Sequence, residues 1–493
     1  MNSIPNRWIK WPAIALFLYI IIRLIDYGKI MFYHPLSNLK HDIYSYLPLL
    51  YFLKECGFHQ WCPYWYNGFE TFVATPPGWF FFTYPLYILT NLRVSFYLSF
   101  ILVYILIMLA IWYGGKKLNM SKFQRLAFFG LFLGNNVMIN TLRLGKAHEV
   151  FAWLFFIIGF FMIYYFKDRP VNNKLYWLII PYSLALLSYH AIAMLFSPLL
   201  LGWMIVHRKN FFQGTLVVIS SFILTSFWWV YLLTHFSQKS IISNEIGVEA
   251  WWMFKDFAHF TSIGVFIIPL ITFAAFWLYY STNKEKKNVL FFLPSLILVL
   301  MFFLGLLPFF PIIDHIYTNM YFTFMIFLTT VFLFSTNYAK VSSSIKSIIP
   351  VLFWIGTIAT IGISLLNTPF FDAPTLEQQD LVNVAQHVNG TFLVTGDLSS
   401  INSHRNALYS YGVVELGLTS ASGHYPIEKE ASYLKDILSI YPAVDEGRCS
   451  EFLSTSKEYK ITDYISYGEG CTKLADCSLS LITTSHKACL YRI

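Results

Sequence analysis

The stretch Ser37-Asn-Leu-Lys-His-Asp42-Ile-Tyr-Ser-Tyr-Leu-Pro48 follows shortly after the first long apolar run of the chain. It leads through Trp61-Cys-Pro-Tyr-Trp-Tyr-Asn-Gly-Phe-Glu70 to a break at Thr75-Pro-Pro77. One carboxylate, Asp42, therefore comes just beyond an apolar run, before a short amphipathic pattern and an aromatic-rich segment. This arrangement is typical of an active-site-like loop at a membrane surface.

The composition is that of a polytopic membrane protein. The chain has 493 residues, of which 57% are hydrophobic, 20% aromatic and only 12% charged, which lies outside the soluble globular range. The formal charge is +8, but the basic residues lie in short clusters between apolar runs, as the positive-inside rule requires. We therefore expect no nucleic-acid partner. The first run has no small-residue cleavage site after it and reads as a retained signal anchor.

Apolar runs of about 20 residues, the length that crosses a hydrocarbon core as a helix, recur along the chain. They lie near 9–27, 94–114, 124–142, 150–166, 175–189, 191–206, 214–234, 261–281, 289–307, 317–336 and 348–366. The run Trp79–Leu89 is short and broken by proline, so we interpret it as interfacial or re-entrant. The predicted fold is a polytopic α-helical membrane domain, residues 1–366, with about 11 transmembrane helices and a first outer loop at 28–93.

Basic residues predict the orientation. If the N-terminus with Arg7 and Lys10 is cytoplasmic, every other cytoplasmic connection is basic, whereas the opposite connections are mixed or poor in Lys and Arg. The basic residues of those connections are Lys116, Lys117, Lys122, Arg125, Lys167, Arg169, Lys174, Arg208, Lys209, Lys284, Lys286, Lys287, Lys340 and Lys346. We expect a multi-pass protein of the plasma membrane with its C-terminus outside.

The segment 367–493 has a different, mixed composition and predicts an extracytoplasmic α+β domain. Thr391–Thr395 and Leu479–Thr483 have strand patterns, and Leu434–Tyr441 has helical spacing. All six cysteines fall on the predicted outer side, where disulfides persist. Cys56 and Cys62 form a plausible local pair, whereas the connectivity of Cys449, Cys471, Cys477 and Cys489 stays open. A zinc site is a weaker alternative, because no Cys-x-x-Cys spacing is present.

Asp42 has two interpretations of equal weight from spacing alone. Its carboxylate can act as a general base that deprotonates an acceptor hydroxyl, or it can cap the helix that begins at Ile43. His41 beside it is either an ordinary loop residue or a metal ligand or polar substrate contact.

A second polar group, Arg143, Lys146, His148 and Glu149, follows the third apolar run. Two cations at a membrane edge suit a phosphate ester, and Glu149 can hold a metal or a sugar hydroxyl. The alternative is basic side chains that snorkel and a Glu149 that caps the next helix. His190 lies at a tight turn between two apolar runs, where it is either structural or part of the site.

The aromatic stretch Trp61–Phe69, with Trp65 at its centre, can stack on sugar rings or form an interfacial aromatic belt. Glu70 is acidic within this apolar stretch. It can bind a metal or a hydroxyl, or pair with Lys54.

Together these motifs resemble the GT-C glycosyltransferases, and among them the archaeal and bacterial 6-pyruvoyl-tetrahydropterin synthase-related membrane proteins. The resemblance rests on His41-Asp42 leading into Tyr44-Ser-Tyr-Leu-Pro48, on Trp61–Phe69 with Pro76-Pro77, on Gly145-Lys-Ala-His-Glu149 and on Ser188-Tyr-His190-Ala. Leu418-Thr-Ser-Ala-Ser-Gly-His-Tyr-Pro426 is similar to a segment of their C-terminal domain.

The resemblance implies transfer of a sugar from a polyprenyl (dolichyl)-phosphate donor to an acceptor glycan, lipid or protein, with Asp42 as base. Asp42 and Glu149 are the expected catalytic residues. His41, Glu70, Arg143, Lys146, His148, His190 and Trp65 are the expected substrate-binding residues. A divalent cation, Mg²⁺ or Mn²⁺, is a candidate cofactor, with Asp42, Glu149 and His190 as candidate ligands.

Two features depart from the family pattern. Many relatives carry an arginine early in the span that corresponds to 317–336, but Thr318-Asn-Met-Tyr-Phe-Thr-Phe324 has none. Phosphate binding then falls to Arg143, Lys146 or another cation, or this member uses an altered donor. The C-terminal segment also lacks a Trp-Trp-Asp-Tyr-Gly motif, which argues against an oligosaccharyltransferase that selects Asn-x-Ser/Thr acceptors. A flippase for lipid-linked glycans and a non-catalytic membrane assembly factor are the alternative functions.

Overall fold

The computed structural model describes residues 6–32, 42–170, 173–235, 260–310, 316–365, 370–371, 373–396, 398–423 and 429–493. Most of them are helical. The α-helices are α1 (Asn6–Tyr27), α2 (Ile43–Glu55), α3 (Gly78–Leu89), α4 (Leu92–Lys117), α5 (Lys122–Leu133), α6 (Asn136–Arg143), α7 (Ala147–Phe166), α8 (Ile179–Ser188), α9 (His190–Val206), α10 (Phe211–Leu224), α11 (Ser226–His235), α12 (Phe260–Asn283), α13 (Lys286–Phe303), α14 (Thr318–Ser335), α15 (Ser343–Leu365), α16 (Leu376–Ala385), α17 (Leu398–Leu416), α18 (Ala431–Asp445), α19 (Cys449–Glu458) and α20 (Glu469–Asp476). The strands are β1 (Trp61–Cys62), β2 (Phe69–Glu70), β3 (Phe392–Val394), β4 (Asp463–Tyr467), β5 (Ser480–Ser485) and β6 (Ala488–Arg492).

Within these ranges, seven helices are long and apolar enough to cross a membrane, or up to eight if the bent pair α9 and α10 counts as one span. They are Trp8–Met31, Leu92–Lys117, Ala147–Phe166, Gly264–Asn283, Lys286–Phe303, Thr318–Ser335 and Ser343–Ile363. Because such a helix satisfies its own backbone hydrogen bonds, it is stable in a hydrocarbon core. The chain is a multi-pass membrane protein.

Some of the eleven predicted runs are broken in the structure. The run 124–142 forms α5 and α6, separated at Gly134-Asn135, because the Asn135 side chain accepts a hydrogen bond from the Met138 amide at 3.0 Å and starts a new helix. The run 214–234 is divided at Thr225 into α10 and α11. Hydropathy predicted helices in these places but not their interruptions.

The chain divides into two compact units. The first, here called the helical unit, comprises Met1–Asp26, Ser99–Trp229 and Ile242–Thr368. Two of its helices form the core: 83% of the apolar window of α7 and 78% of that of α14 are buried inside the protein, against 17% for α15. Phe156 and Phe160 of α7 pack on Phe327 of α14, with ring centroids 5.0 and 4.7 Å apart. Polar residues at the start of α7 and α14 are therefore held inside the helical unit.

The second, here called the mixed unit, comprises Tyr27–Leu98, Val230–Ile241 and Pro369–Ile493. Its four-stranded sheet has the order β3-β4-β6-β5, with β3 and β4 parallel and the other pairs antiparallel. The strands expected at Thr391–Thr395 and Leu479–Thr483 correspond to β3 and β5, and the expected helix at Leu434–Tyr441 lies within α18.

The segment after the first span belongs to the mixed unit because its backbone bonds to the C-terminal residues. The Ser420 amide donates to the Tyr64 carbonyl at 2.8 Å, and the Asn67 amide donates to the Ser420 carbonyl at 3.1 Å. The Ser410 hydroxyl donates to the Tyr44 carbonyl and ties α17 to α2.

All six cysteines are paired in the mixed unit, as Cys56–Cys62, Cys449–Cys477 and Cys471–Cys489. The first bridge is the expected local pair. The other two decide the connectivity that the sequence left open.

Candidate functional site

A buried polar contact joins the two core helices of the helical unit. Glu149 lies in the first turn of α7 and is completely buried. The side-chain amide of Asn319, at the start of α14, donates to both carboxylate oxygens of Glu149 at 3.3 Å. A buried carboxylate is tolerated only where donors compensate its lost hydration. Asn319 was not among the predicted residues, although a polar side chain inside an apolar run was a usable signal.

Histidine and lysine side chains lie close to His148, the residue before Glu149. His148 lies edge-on to the Tyr189 ring at 4.5 Å and is close enough to Lys146 and His190 for their charges to act on it. Tyr189 alone separates α8 from α9, and its extended backbone makes the tight turn expected at His190. The Lys146 ammonium lies 5.1 Å from the centre of the Tyr317 ring. The helical unit thus brings together His148, Glu149, Lys146 and His190.

Arg143 ends α6 and lies close enough to Arg23 for their positive charges to interact. Arg23 itself is 2% exposed and forms an ion pair with Asp26 at 3.4 Å. Gly145, with φ +72°, forms the turn from Arg143 to Lys146 that few other residues adopt without strain. Arg23 and Asp26 were missed in the sequence, where they lay inside the first apolar run as an unexplained pair of charges.

Asp42 precedes α2 in the mixed unit and is partly exposed. Its backbone carbonyl accepts the amides of Ser45 and Tyr46 at 2.9 and 3.2 Å, but its side chain makes no capping hydrogen bond. The capping interpretation of this carboxylate is therefore not supported by the geometry. His41 lies outside the described residues.

The aromatic stretch contributes two kinds of side chain. Trp65 is completely buried, with its ring 5.0 Å from Phe52, so no face of the ring is open to a sugar. Trp61 is 64% exposed. Glu70 is partly exposed and pairs in β2 opposite Trp61. Lys54 forms its ion pair with the neighbouring Glu55 at 3.3 Å, not with Glu70 as one interpretation of the sequence had it.

The described residues do not assemble a group of three or more His, Cys, Asp or Glu side chains that would hold a metal ion. Of the candidate ligands, Glu149 accepts hydrogen bonds from the Asn319 amide through both of its carboxylate oxygens.

Comparison of the sequence with protein-family models and with curated proteins gives no match. Solved structures of similar fold include three at 11 to 12% identity. The Archaeoglobus fulgidus oligosaccharyltransferase, in complex with Zn and sulfate, has a TM-score of 0.53 at 11% identity over 91% of this chain and 68% of its own. ArnT from Cupriavidus metallidurans in the apo state has a TM-score of 0.54 at 12% identity, over 96% of this chain and 97% of its own. The archaeal oligosaccharyltransferase AglB from Archaeoglobus fulgidus, in complex with an inhibitory peptide and a dolichol-phosphate, has a TM-score of 0.51 at 11% identity over 95% and 71%.

This chain shares its fold with these three proteins. The chain has a GT-C-like fold. The predicted fold class, a polytopic helical membrane protein with a C-terminal domain, is thereby confirmed. In the GT-C-like fold of this chain, the buried Glu149–Asn319 contact belongs to the helical unit, and Asp42 belongs to the mixed unit with the C-terminal segment.

Proposed function

We propose that the protein is an integral membrane glycosyltransferase that moves a sugar from a polyprenyl (dolichyl)-phosphate donor to an acceptor glycan, lipid or protein. The observation that carries the proposal is the GT-C-like fold, shared over 91 to 96% of the chain with glycosyltransferases. One of these, AglB, was solved with a dolichol-phosphate. Lipid-linked phosphate is therefore the donor class that we assign.

The donor phosphate requires cations in a poorly hydrated place, and the helical unit supplies them. Arg143 and Lys146 flank the turn before α7, and Arg23 lies near Arg143. Charge-assisted hydrogen bonds to phosphate oxygens are among the strongest in proteins. In many relatives, an arginine early in the span that corresponds to α14 contacts the donor phosphate. In this chain we assign that contact to Arg143 and Lys146, with Arg23 close to Arg143.

The chemistry that we assign is a displacement with inversion. The Asp42 carboxylate accepts the proton of an acceptor hydroxyl, and the oxygen forms a bond to the anomeric carbon of the sugar. The bond from that carbon to the phosphate oxygen breaks, and the electron pair leaves with the polyprenyl phosphate. Arg143 and Lys146 stabilise the negative charge that develops on this leaving group.

Glu149 is assigned a positioning role instead of the catalytic role expected from the sequence, because its side chain is completely buried. It orients Asn319, whose amide donates to both of its carboxylate oxygens. His148 and His190 lie close to each other, and we assign both to contacts with the sugar. Glu70 is assigned to an acceptor hydroxyl.

The motifs favour the 6-pyruvoyl-tetrahydropterin synthase-related branch of the GT-C proteins. The basic connections favour a plasma-membrane protein with the N-terminus in the cytoplasm and the mixed unit outside. The absence of the Trp-Trp-Asp-Tyr-Gly motif favours an acceptor other than a protein Asn-x-Ser/Thr site.

The test uses cells from which the gene is deleted, complemented with the wild-type gene, Asp42→Asn or Asp42→Ala. Mass spectrometry of surface glycans and glycolipids should show one missing sugar in the deleted cells, restored by the wild type and by neither variant. Asp476→Asn, an exposed carboxylate changed in the same way, is the control and should restore it.

Two results would contradict the proposal in different ways. Full transfer by both Asp42 variants, at wild-type protein levels, would remove Asp42 as the base. Whole glycans trapped at the inner face of the membrane, in cells from which the gene is deleted, would indicate a flippase instead of a transferase.

A further inference from the structure

The mixed unit contains an open cleft of about 490 Å³, formed where the first loop meets the C-terminal segment. Its lining is polar and aromatic. The lining residues are Pro63, Asn67, Thr391, Thr419, Lys429, Tyr433, Glu458, Tyr459 and Lys460. Pro63 and Asn67 lie in the aromatic stretch Trp61–Phe69, and the other lining residues have no role in the function proposed above.

The lining carries both donors and acceptors of hydrogen bonds. Thr391 and Thr419 present hydroxyl groups that lie 3.1 Å apart, and Asn67 presents an amide. Lys460 and Glu458 add opposite charges at exposed positions of the rim. Each hydroxyl of a sugar both donates and accepts, so a mixed lining of this kind suits a saccharide.

Aromatic rings flank these polar groups. The rings of Tyr433 and Tyr459 meet edge to face, with centroids 5.1 Å apart. Trp61 lies beside the cleft, because the Lys429 ammonium is 5.5 Å from the Trp61 ring and 4.5 Å from that of Tyr433. An exposed tryptophan next to a polar cleft is a flat surface on which a sugar ring can stack.

Hydrogen bonds within the protein hold the lining residues of the cleft in place. The Asn67 side chain donates to the Tyr459 carbonyl at 2.5 Å, and the Lys429 ammonium donates to the Gly68 carbonyl at 2.5 Å. Asn67 and Lys460 both have a φ of +52°, a conformation that costs a non-glycine residue free energy. Such strain persists only where the surrounding structure holds it, and it collects at binding sites.

The Trp61 ring is also held in place. Gly68 has a φ of +99°, and a Cβ atom at this position would lie 2.0 Å from the Trp61 ring. The ring therefore covers the backbone of Gly68, next to Asn67 of the cleft. The Cys56–Cys62 bridge anchors the adjacent backbone.

A peptide is the less suitable occupant. Peptides often bind by adding a strand to the edge of a sheet. At the edge strand β3, however, the Phe392 amide donates to the Thr419 carbonyl at 3.1 Å and the Phe392 carbonyl accepts the Ala421 amide at 3.0 Å. This edge is already paired beside the cleft.

We propose that the cleft binds a saccharide segment of the acceptor glycan, with Trp61 as the stacking surface and Lys460, Thr391, Thr419 and Asn67 as hydrogen-bonding groups. The proposal rests on the proposed function, because it identifies the acceptor as a glycan chain and places its recognition in the mixed unit. Binding at this cleft holds the chain while its terminus reacts elsewhere, so the cleft contributes to acceptor affinity and not to chemistry.

The test measures binding directly, on full-length protein in nanodiscs. The probe is the pool of glycans released from cells that lack the protein, and saturation-transfer difference NMR or calorimetry measures the affinity. Trp61→Ala should weaken binding about tenfold, because an aromatic contact with its buried area is worth roughly one power of ten in affinity. Lys460→Gly removes a side chain and relieves the positive φ, so it should weaken binding without loss of folding.

Two matched controls separate the cleft from the surface in general. Trp177→Ala removes another tryptophan that is 63% exposed, in the helical unit, and Lys457→Ala removes another exposed lysine from α19. Both should bind the glycans like the wild type. In transfer assays, Trp61→Ala should raise the KM for acceptor with unchanged kcat and unchanged KM for donor.

The outcomes distinguish the two proposals. Equal glycan binding by wild type and Trp61→Ala, or no glycan binding by the wild type, would overturn the proposal that the cleft binds the acceptor glycan. Displacement of the glycans by synthetic peptides would also overturn it. Suppose that Trp61→Ala loses glycan binding and that the wild type transfers no sugar from any donor. This result would support the glycan-binding cleft and overturn the proposed glycosyltransferase function.

Discussion

The side-chain amide of Asn319 lies 3.3 Å from each carboxylate oxygen of Glu149, across 170 residues of sequence. The contact joins α7 and α14, the two most buried of the candidate membrane spans that the structure describes. It fixes the register of the core at the end of these helices where Lys146 and His148 also lie.

Asn319→Leu should destabilise the protein by about 1.5–3 kcal/mol, because a buried charge loses a donor. In the Glu149→Gln background the same change should cost only about 0.5–1.5 kcal/mol, since a neutral amide loses a weaker hydrogen bond. Denaturant unfolding of the purified protein in detergent micelles measures all four members of the cycle. Equal costs in both backgrounds would show that Asn319 does not stabilise the carboxylate.

Arg143→Met and Lys146→Met should each raise the KM for a polyprenyl-phosphate sugar about tenfold or more, because a charge-assisted hydrogen bond contributes roughly 1.5–3 kcal/mol. The KM for acceptor should change little. Steady-state assays with a synthetic short-chain donor measure both constants. Lys117→Met, at an exposed lysine at the end of α4, is the control and should leave the donor KM unchanged. An unchanged donor KM in both site variants would show that Arg143 and Lys146 do not bind the donor phosphate.

Gly202→Ala should strongly destabilise the helical unit. A Cβ atom at Gly202 of α9 would lie 1.8 Å from the Phe291 carbonyl oxygen of α13, so the two helices would have to separate. We expect a loss of about 2 kcal/mol or more, at the level of overpacked cores. Gly356→Ala is the matched control, because nothing lies within 4 Å of its Cβ position in α15. The control should be neutral or stabilise by up to about 1 kcal/mol through helix propensity. Thermal unfolding followed by tryptophan fluorescence compares the two, and equal melting temperatures would refute the close approach.

The stability of the mixed unit should fall as the pH rises above 4.5. Burial, and then the charge of Asp380, raise the pKa of Glu377 above its ordinary value of 4.5. Between 4.5 and the raised pKa, the folded protein holds a proton that the unfolded chain has released, so the free energy of unfolding decreases with pH and levels off above that window. Urea unfolding at a series of pH values measures this slope.

Glu377→Gln should remove that slope and leave the mixed unit more stable than the wild type at neutral pH. The exposed Glu469→Gln makes the same change of charge and is the control. The same slope in wild type and Glu377→Gln would assign the pH dependence to another group.

Local features of the sequence predicted a large part of the architecture. Apolar length predicted helical spans, the spacing of Cys56 and Cys62 predicted their bridge, and the tight turn before His190 was expected at its observed position. Each of these depends on residues close together in the chain. The interruption at Gly134-Asn135 was missed because capping competes with hydropathy over only two or three residues.

Distant partners could not be predicted in this way. Trp61 and Trp65 are four residues apart in one aromatic stretch, yet Trp61 is 64% exposed and Trp65 is completely buried. The difference arises from the C-terminal segment, because the position of a Cβ atom on Gly423 would lie 2.7 Å from the Trp65 ring. The cleft beside Trp61 likewise needs residues from both ends of the chain.

By itself, the sequence determined that this chain is a multi-pass helical membrane protein with a mixed C-terminal segment, because the hydrophobic effect acts on composition and on short periodic patterns. Only the tertiary structure decided that Asn319 holds Glu149, that Arg23 lies near Arg143, and that the first loop and the C-terminal segment form one unit. These are contacts between distant residues, and their free energy comes from burial and hydrogen bonding that exist only after the chain has packed.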